Sequence, residues 1–201
     1  MSGTDDLSSA VDGRMARRHR NVDAVIDVVL QMFAEESMFP TIEQAATRSG
    51  LSLRSLYRYF ADPGELLEAA IKRSDELGLA LSRIHNIGRG PLEERIDILV
   101  RTRLKLHEAI GPIYRATLAN AARLPRIRDE LARQRTAMRK QFELQFAPEI
   151  ASHKPSERDA VLSVGDLMTQ LESIEYLRRH RQLTVAETQL SLVTGLSSLF
   201  T

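Results

Sequence analysis

The chain has 201 residues, of which 43% are hydrophobic and 27% are charged, a balance typical of globular proteins. It contains no cysteine, which excludes disulfides, thiolate nucleophiles and cysteine-ligated metal sites. The formal net charge is only +1, so any binding to nucleic acid must come from local clusters of basic residues.

The amino-terminal residues are polar and lack the apolar segment of a secretory signal. The longest apolar stretch is interrupted by Asp27 and Gln31, so it is shorter than the roughly 20 residues that span a bilayer. We therefore expect a cytoplasmic protein without a membrane segment.

The first helix is predicted after a polar tail that ends at about Gly13. A basic run over residues 14–20 follows the tail, and apolar residues then recur every three or four positions from Val22 to Phe33. This spacing indicates an amphipathic helix. Pro40 is expected to end it.

Two short helices are predicted next, joined by a tight turn. Thr41 and Gln44 match a capping box for a second helix that runs to about Arg48. Gly50 provides a residue that tolerates the left-handed conformation at a helix end. Ser52 can cap a third helix, LRSLYRYF.

These two helices carry the residue types of a helix-turn-helix. Ala46 is small enough for the helices to cross closely, Gly50 makes the turn, and Leu51 and Leu56 are expected to pack inward. A mixture of cations, hydroxyls and phenols is left on the outside, able to reach base edges and phosphates. The outward residues are Leu53, Arg54, Ser55, Tyr57, Arg58 and Tyr59.

The remainder of the chain is predicted to be helical as well. Asp62, Pro63 and Glu65 match the start of a fourth helix that ends at about Arg83. Five further helices are expected: a fifth from about Ile96 to Gly111 and Pro112, a sixth over Ile113–Ala122, a seventh over Leu124–Phe146, an eighth from Ser156 to His180 and a ninth from Thr184 to Phe200, with APEIASHKP as a loop. The predicted fold class is all-α, with about nine helices.

No sequence feature points to catalysis. The five histidines are scattered without the spacing of a metal site, and there is no glycine-rich phosphate loop and no nucleophile elbow. We expect no catalytic residue, no metal site and no cofactor, and hence a protein that is not an enzyme.

From Arg18 to about Ala70, the sequence resembles the DNA-binding region of TetR-type transcriptional regulators. The resemblance is carried by VIDVVLQMFAEE, PTIEQAATRSGLSLRSLYRYF and LLEAAI, and most specifically by Leu56-Tyr57-x-Tyr59-Phe60. It implies a helix-turn-helix domain over residues 14–61, a linking helix over 62–83, and an effector-binding and dimerisation domain over 84–201.

The resemblance also implies roles for individual residues. Phosphate contacts are expected from Thr41, Ser55, Tyr57 and Tyr59, base contacts from Leu53, Arg54 and Arg58, and a core position for Phe60. Together with Ser52, the predicted DNA-binding residues are Thr41, Ser52, Leu53, Arg54, Ser55, Tyr57, Arg58 and Tyr59. Ordinary packing of the tyrosines and a solvated face for the arginines are the alternatives.

Two positions depart from the family pattern. Ser37 and Met38 stand where a glycine is usual after the first helix, and Pro63 replaces the lysine usual at the start of the fourth. Without that lysine, the amide groups of the helix N-terminus remain to face a phosphate. The basic run 14–20 is either a minor-groove arm or a solubilising tail.

The predicted eighth and ninth helices carry more apolar positions than one small monomer needs to cover. These are Val161, Val164, Leu167, Met168, Leu171, Ile174, Leu190, Val193, Leu196 and Leu199. We expect a homodimer through the helices near 156–180 and 184–200, the alternative being a monomeric core. Its two-fold axis would place two recognition helices about 34 Å apart, one per half of an inverted repeat.

Polar groups also interrupt apolar faces of the predicted fifth to eighth helices, as in cavities with a few orienting contacts. The residues of these mixed faces, polar and apolar together, are Arg103, His107, Tyr114, Met138, Phe142, Asp166 and Gln170, and none is assigned to a site. The expected function is a ligand-responsive repressor that binds double-stranded DNA and an unknown small-molecule effector. The alternatives are an all-helical enzyme and a protein-partner-binding module that retains the fold.

Overall fold

The computed structural model describes the backbone of residues 4–36 and 38–200, and side chains from Met15 onward within those ranges. These residues form ten α-helices and one π-helical turn, with no strand among them, so the predicted all-α class is confirmed. The helices are α1 (Thr4–Glu36), α2 (Ile42–Ser49), α3 (Leu53–Tyr59), α4 (Pro63–Leu81), α5 (Leu92–Asn120), α6 (Pro125–Gln145), α7 (Ala147–Ser152), α8 (Arg158–Thr169), α9 (Leu171–Glu175) and α10 (Val185–Leu199), and the π-helical turn is Tyr176–His180.

The chain divides into two compact units. The first comprises Met1–Asp75 and Pro112–Asn120, and the second comprises Glu76–Gly111 and Ala121–Thr201. Helices α4 and α5 each contribute residues to both units. None of the described helices is long and apolar enough to cross a membrane.

The first unit is built around the apolar stripe that the sequence predicts on α1. Val25, Ile26 and Val29 are buried together with residues of α2, α3 and α4, and Phe33 is buried as well. Helix α1 begins at Thr4, so the prediction of a tail to about Gly13 is wrong. Ser37 and the side chain of Arg14 lie outside the described residues.

The predicted caps of α2 and α3 are present. The Thr41 hydroxyl accepts from the amide of Gln44 at 3.2 Å, and the Thr41 amide donates to Gln44 Oε1 at 2.8 Å. Gly50 ends α2 with φ +69°, a conformation that costs little only for glycine. Ser52 caps α3 by accepting from the amide of Ser55 at 3.2 Å.

The predicted break at Gly111 and Pro112 is wrong, because α5 continues through Pro112. Proline removes one backbone donor and crowds the preceding turn, which normally ends a helix. Here Ile110, Tyr114 and Ala116 on either side are all buried. The packing of these side chains offsets the cost of the backbone hydrogen bond that Pro112 removes. The predicted fifth and sixth helices are therefore a single helix.

Two further predictions fail around residue 150. The segment predicted as a loop contains α7, and Pro148 lies in its first turn, where proline is tolerated. Ser156 does not cap α8, which begins at Arg158. Ser156 instead lies within a turn in which the Glu157 amide donates to the Lys154 oxygen at 2.8 Å.

The predicted eighth helix is interrupted. At Gln170 the backbone is extended, with φ −68° and ψ 153°, which separates α8 from α9. The π-helical turn follows α9 directly and is closed by the Arg181 amide donating to the Tyr176 oxygen at 3.0 Å. Helix α10 begins with the predicted capping box of Thr184 and Glu187.

Arg95 and three phenylalanines hold part of the second unit together. Arg95 is buried and pairs with Glu149, and it also donates to the Gln145 backbone oxygen at 2.6 Å. Its hydrogen bonds raise the pKa of Arg95 and lower that of the Glu149 carboxyl. The Phe146 ring lies 4.8 Å from Phe142 and 4.9 Å from Phe200 between centroids.

Candidate nucleic-acid interface

Helix α3 divides sharply into a buried side and an exposed side. Leu56 is fully buried, and Phe60 at the end of the helix is 4% exposed, as predicted for a core residue. Leu53 is 40% exposed and Tyr57 48% exposed, and Arg54 is also exposed. The buried side packs in the core of the first unit, and the exposed side faces solvent.

The serine and threonine hydroxyls among the predicted DNA-binding residues lie at helix starts. Thr41 caps α2, and Ser52 caps α3 with its hydroxyl oxygen 2.9 Å from that of Ser55. Thr41 and Ser52 are exposed, whereas Ser55 is half-buried. A capping oxygen uses a lone pair and keeps its own proton, so the exposed Thr41 hydroxyl can still donate to a phosphate.

Tyr57 has a protein partner that the sequence analysis missed. Its hydroxyl donates to Glu43 Oε1, in the first turn of α2, at 3.2 Å. The contact places the start of α2, and with it Thr41, beside α3. The Glu43 charge raises the pKa of Tyr57. Hydrogen bonds from the Glu43 backbone, from Thr41 and from Tyr57 hold the pKa of Glu43 below its ordinary value.

Tyr59, the last residue of α3, is half-buried and contacts α1. Its oxygen accepts from Asn21 Nδ2 at 3.2 Å and from Arg58 Nη2 at 3.4 Å. The Arg58 guanidinium carbon is 5.3 Å from the ring centroid, and that of Arg18 is 6.0 Å away. The two hydrogen bonds, with a smaller effect from the arginine charges, lower the pKa of Tyr59.

Both hydrogen bonds are accepted by the Tyr59 oxygen, so its phenolic proton remains available to a further acceptor. The contacts of the Tyr59 ring also bring Arg18, from the basic run 14–20, next to the residues of α3. Asn21 gave no signal in the sequence, because it lies 38 positions from Tyr59.

The start of α4 is less favourable to a phosphate than the sequence implies. Asp62 Oδ1 accepts from the Glu65 amide at 3.0 Å, and Glu65 Oε2 accepts from the Ala61 amide at 2.7 Å. Pro63 has no amide hydrogen to offer. Two carboxylates, those of Asp62 and Glu65, therefore lie at the N-terminus of α4, where the resemblance implies a lysine.

Comparison with known proteins places this geometry in context. No protein-family model matches the chain. The regulator BetI of Escherichia coli, named as an HTH-type transcriptional regulator, is 30% identical over 86 residues, which are 42% of this chain and 43% of BetI. The chain thus matches less than half the length of this curated relative.

Solved structures match over most of the chain. A protein from Rhodococcus sp. described as a TetR-family regulator has a TM-score of 0.72 at 15% identity, covering 90% of this chain and 100% of that one. A TetR-family regulator from Streptomyces coelicolor has a TM-score of 0.70 at 19% identity, covering 90% of this chain and 80% of that one.

A third solved structure was determined with a small molecule. It is a transcriptional regulator from Saccharomonospora viridis in complex with choline, with a TM-score of 0.63 at 15% identity, covering 89% of this chain and 96% of that one. The resemblance read from the sequence is confirmed: this chain has the fold of the TetR-family transcriptional regulators.

Proposed function

We propose that the chain is a DNA-binding transcriptional regulator that reads a duplex by inserting α3 into the major groove. The observation that carries the proposal is the two-sided nature of this helix. Leu56 is fully buried, while Arg54 and Arg58 are exposed. A short helix held by one side and charged on the other has the form of a recognition helix.

Within this proposal the predicted residues have two kinds of role. Leu53, Arg54 and Arg58 contact base edges, because they are exposed on α3 and the arginine fork matches guanine. Thr41, Ser52, Ser55, Tyr57 and Tyr59 contact phosphates and fix the position of the helix. The functional division into 14–61, 62–83 and 84–201 belongs to the same proposal.

The active form in this proposal is a homodimer on an inverted-repeat operator. Exposed apolar side chains on α8 and α10 support it, among them Val164 at 47%, Leu167 at 64% and Leu190 at 67% exposure. Large apolar side chains left in water on neighbouring helices are typical of association surfaces.

We further propose a cytoplasmic repressor that releases DNA when a small molecule binds to the 84–201 domain. The structural neighbour in complex with choline supports a small-molecule effector. Such an effector must bind one conformation more tightly than the other, because equal affinity shifts no equilibrium. No cofactor and no catalytic step enter this proposal.

Retention of genomic fragments by the full-length protein tests the proposal. A regulator is expected to retain a discrete inverted-repeat site with nanomolar-range affinity and to lose it steeply as salt rises. The Arg54→Ala/Arg58→Ala double variant, changed on the exposed side of α3, should retain no such site. If the wild type retains no fragment at low salt, the proposal fails and the enzyme and protein-partner alternatives remain.

A further inference from the structure

A fully buried arginine lies on α5 in the second unit. Arg103 has no solvent exposure. Its Nη1 donates to Gln141 Oε1 at 2.6 Å, and its Nη2 donates to the backbone oxygen of Met138 at 3.2 Å, both on α6. The Nε–H of Arg103 is buried without a hydrogen-bond partner. Native proteins seldom leave such a donor unsatisfied.

Asp166 is the acidic group whose charge acts on Arg103. Burial lowers the pKa of Arg103 to about 10, with the charge of Asp166 acting in the opposite sense, so the guanidinium is charged at neutral pH. Asp166 is shared with other groups. Its Oδ1 accepts from Gln170 Nε2 at 2.6 Å, and its Oδ2 lies 3.7 Å from Arg139 Nη1. Arg139 also pairs with Asp159 at 3.0 Å, and burial raises the pKa of Asp166.

Gln170 supplies a second buried atom without a partner. Its side chain is 9% exposed, and its Oε1 accepts no hydrogen bond. Its Nε2 also lies 3.5 Å from the backbone oxygen of Arg135, one helical turn before Met138 on α6. The donor of Arg103 and the acceptor of Gln170 therefore lie against neighbouring turns of the same helix.

The backbone is irregular at this place. Gln170 interrupts the helix between α8 and α9, and the π-helical turn Tyr176–His180 directly follows α9. Irregularities of this kind inside helices are frequent at functional sites. Fully buried apolar residues lie on the same helices as these groups: Leu99 on α5, Phe142 on α6 and Ile174 on α9.

We propose that Arg103 and Gln170 form the polar end of an effector site for an apolar hydroxy acid. The ligand carboxylate accepts from Arg103 Nε, and the ligand hydroxyl donates to Gln170 Oε1. The inference rests on the proposed function, for which it names the chemical class of the effector. Because Arg103 is fully buried, a ligand reaches it only when α5, α6 and α8 separate, so the free and bound states of this unit differ.

Titration calorimetry on the full-length protein tests the chemistry with three probes of equal chain length. 3-Hydroxyoctanoate carries both groups, octanoate lacks the hydroxyl, and 1,3-octanediol lacks the carboxylate. 3-Hydroxyoctanoate is expected to bind most tightly. Loss of the hydroxyl or of the carboxylate should each weaken binding by roughly tenfold or more, because each leaves a buried polar group unpaired.

Two variants separate this role from a purely structural one. Arg103→Met should abolish the preference for 3-hydroxyoctanoate over the diol. Gln170→Leu should abolish the preference for 3-hydroxyoctanoate over octanoate. Arg128→Met, at a side chain that is 65% exposed, is the matched control and should leave all three affinities unchanged. If circular dichroism shows that Arg103→Met does not fold, Arg103→Lys keeps the charge but removes the Nε–H donor, and it should reduce the preference for 3-hydroxyoctanoate over the diol.

The proposal is overturned if none of the probes binds, if the wild type binds all three equally, or if the variants leave the affinity ratios unchanged. A network that only holds the helices together would change stability without changing these ratios. DNA retention by the ligand-free protein is measured separately. Retention without probe discrimination rejects the hydroxy acid alone, and discrimination without retention rejects the regulator and keeps the ligand site.

Discussion

At Tyr57, a hydroxyl proposed to contact a phosphate already donates to Glu43. A carboxylate beside a DNA phosphate repels it and competes for the same proton. We expect Glu43→Gln to increase affinity several-fold on every DNA sequence, since it removes a charge near the backbone and not a base contact. Fluorescence anisotropy over a salt series measures the change.

Glu36→Gln provides the control for this prediction. Glu36 is an exposed carboxylate at the end of α1, and its replacement changes the net charge by the same amount. The control should leave the affinity nearly unchanged. If both variants tighten binding equally, the effect comes from overall charge and Glu43 has no specific position at the interface.

Variants of Arg54 and Tyr57 are expected to change DNA binding in different ways, because the two residues have different proposed roles. Arg54→Ala should reduce discrimination at one or two base pairs by about 1–3 kcal/mol. Tyr57→Phe should weaken binding to all sequences alike, since it removes a phosphate contact. Competition assays with single-base operator variants distinguish the two patterns. Equal losses on all sequences from both changes would contradict the assigned roles.

The turn between α2 and α3 depends on the backbone freedom of one residue. Gly50 has φ +69°, and an added Cβ would meet nothing within 4 Å. Gly50→Ala should therefore lower the free energy of unfolding by about 1 kcal/mol through backbone strain alone. Gly78 lies inside α4 with equally open surroundings, so Gly78→Ala should raise the free energy of unfolding by about 0.5–1 kcal/mol.

Urea unfolding of both variants checks this pair. Neither added methyl group makes a contact. Changes of opposite sign in the free energy of unfolding would therefore show that the backbone conformation decides the outcome at each site. Stabilisation by Gly50→Ala would contradict the left-handed turn, and with it the crossing of α2 and α3 on which the interface depends.

The elements that the sequence predicts well are those defined by local signals. The caps at Thr41, Gly50 and Ser52 act within one turn of the chain, and all three are in place. At Pro112 and Gln170 the structure differs from the sequence prediction, because the outcome there depends on distant packing. Helix α5 continues through Pro112, although proline normally ends a helix. The helix before Gln170 ends there, although neither proline nor glycine stands at the break.

The candidate site follows the same physical rule. The exposed and buried sides of α3 follow from helical periodicity, and so the sequence indicates them. The partners of its side chains do not, since Glu43 is 14 positions from Tyr57. The same holds in the second unit, where Gln141 is 38 positions from Arg103. Contacts over such separations leave no periodic pattern in one sequence.

At the scale of the whole molecule, the proposed regulator needs two copies of the chain. Leu167 on α8 is 64% exposed and Leu190 on α10 is 67% exposed. Leu167→Glu and Leu190→Glu should each convert the dimer to a monomer, because a dimer interface would bury each new charge without a partner. Leu79→Glu, on α4 at a side chain that is 69% exposed, should leave the mass unchanged. Sedimentation velocity measures the mass of each species.

The same variants connect assembly to recognition. A dimer binds an inverted repeat with two recognition helices, and a monomer contacts one half of it. Since the second helix binds at the high effective concentration set by the first, separation should lower operator affinity by at least about 100-fold. The α3 surface is untouched by these changes, so the monomer should keep its preference among half-site sequences. A monomer that still binds the full operator as tightly as the wild type would show that α3 acts alone, and the exposed leucines would then need another partner.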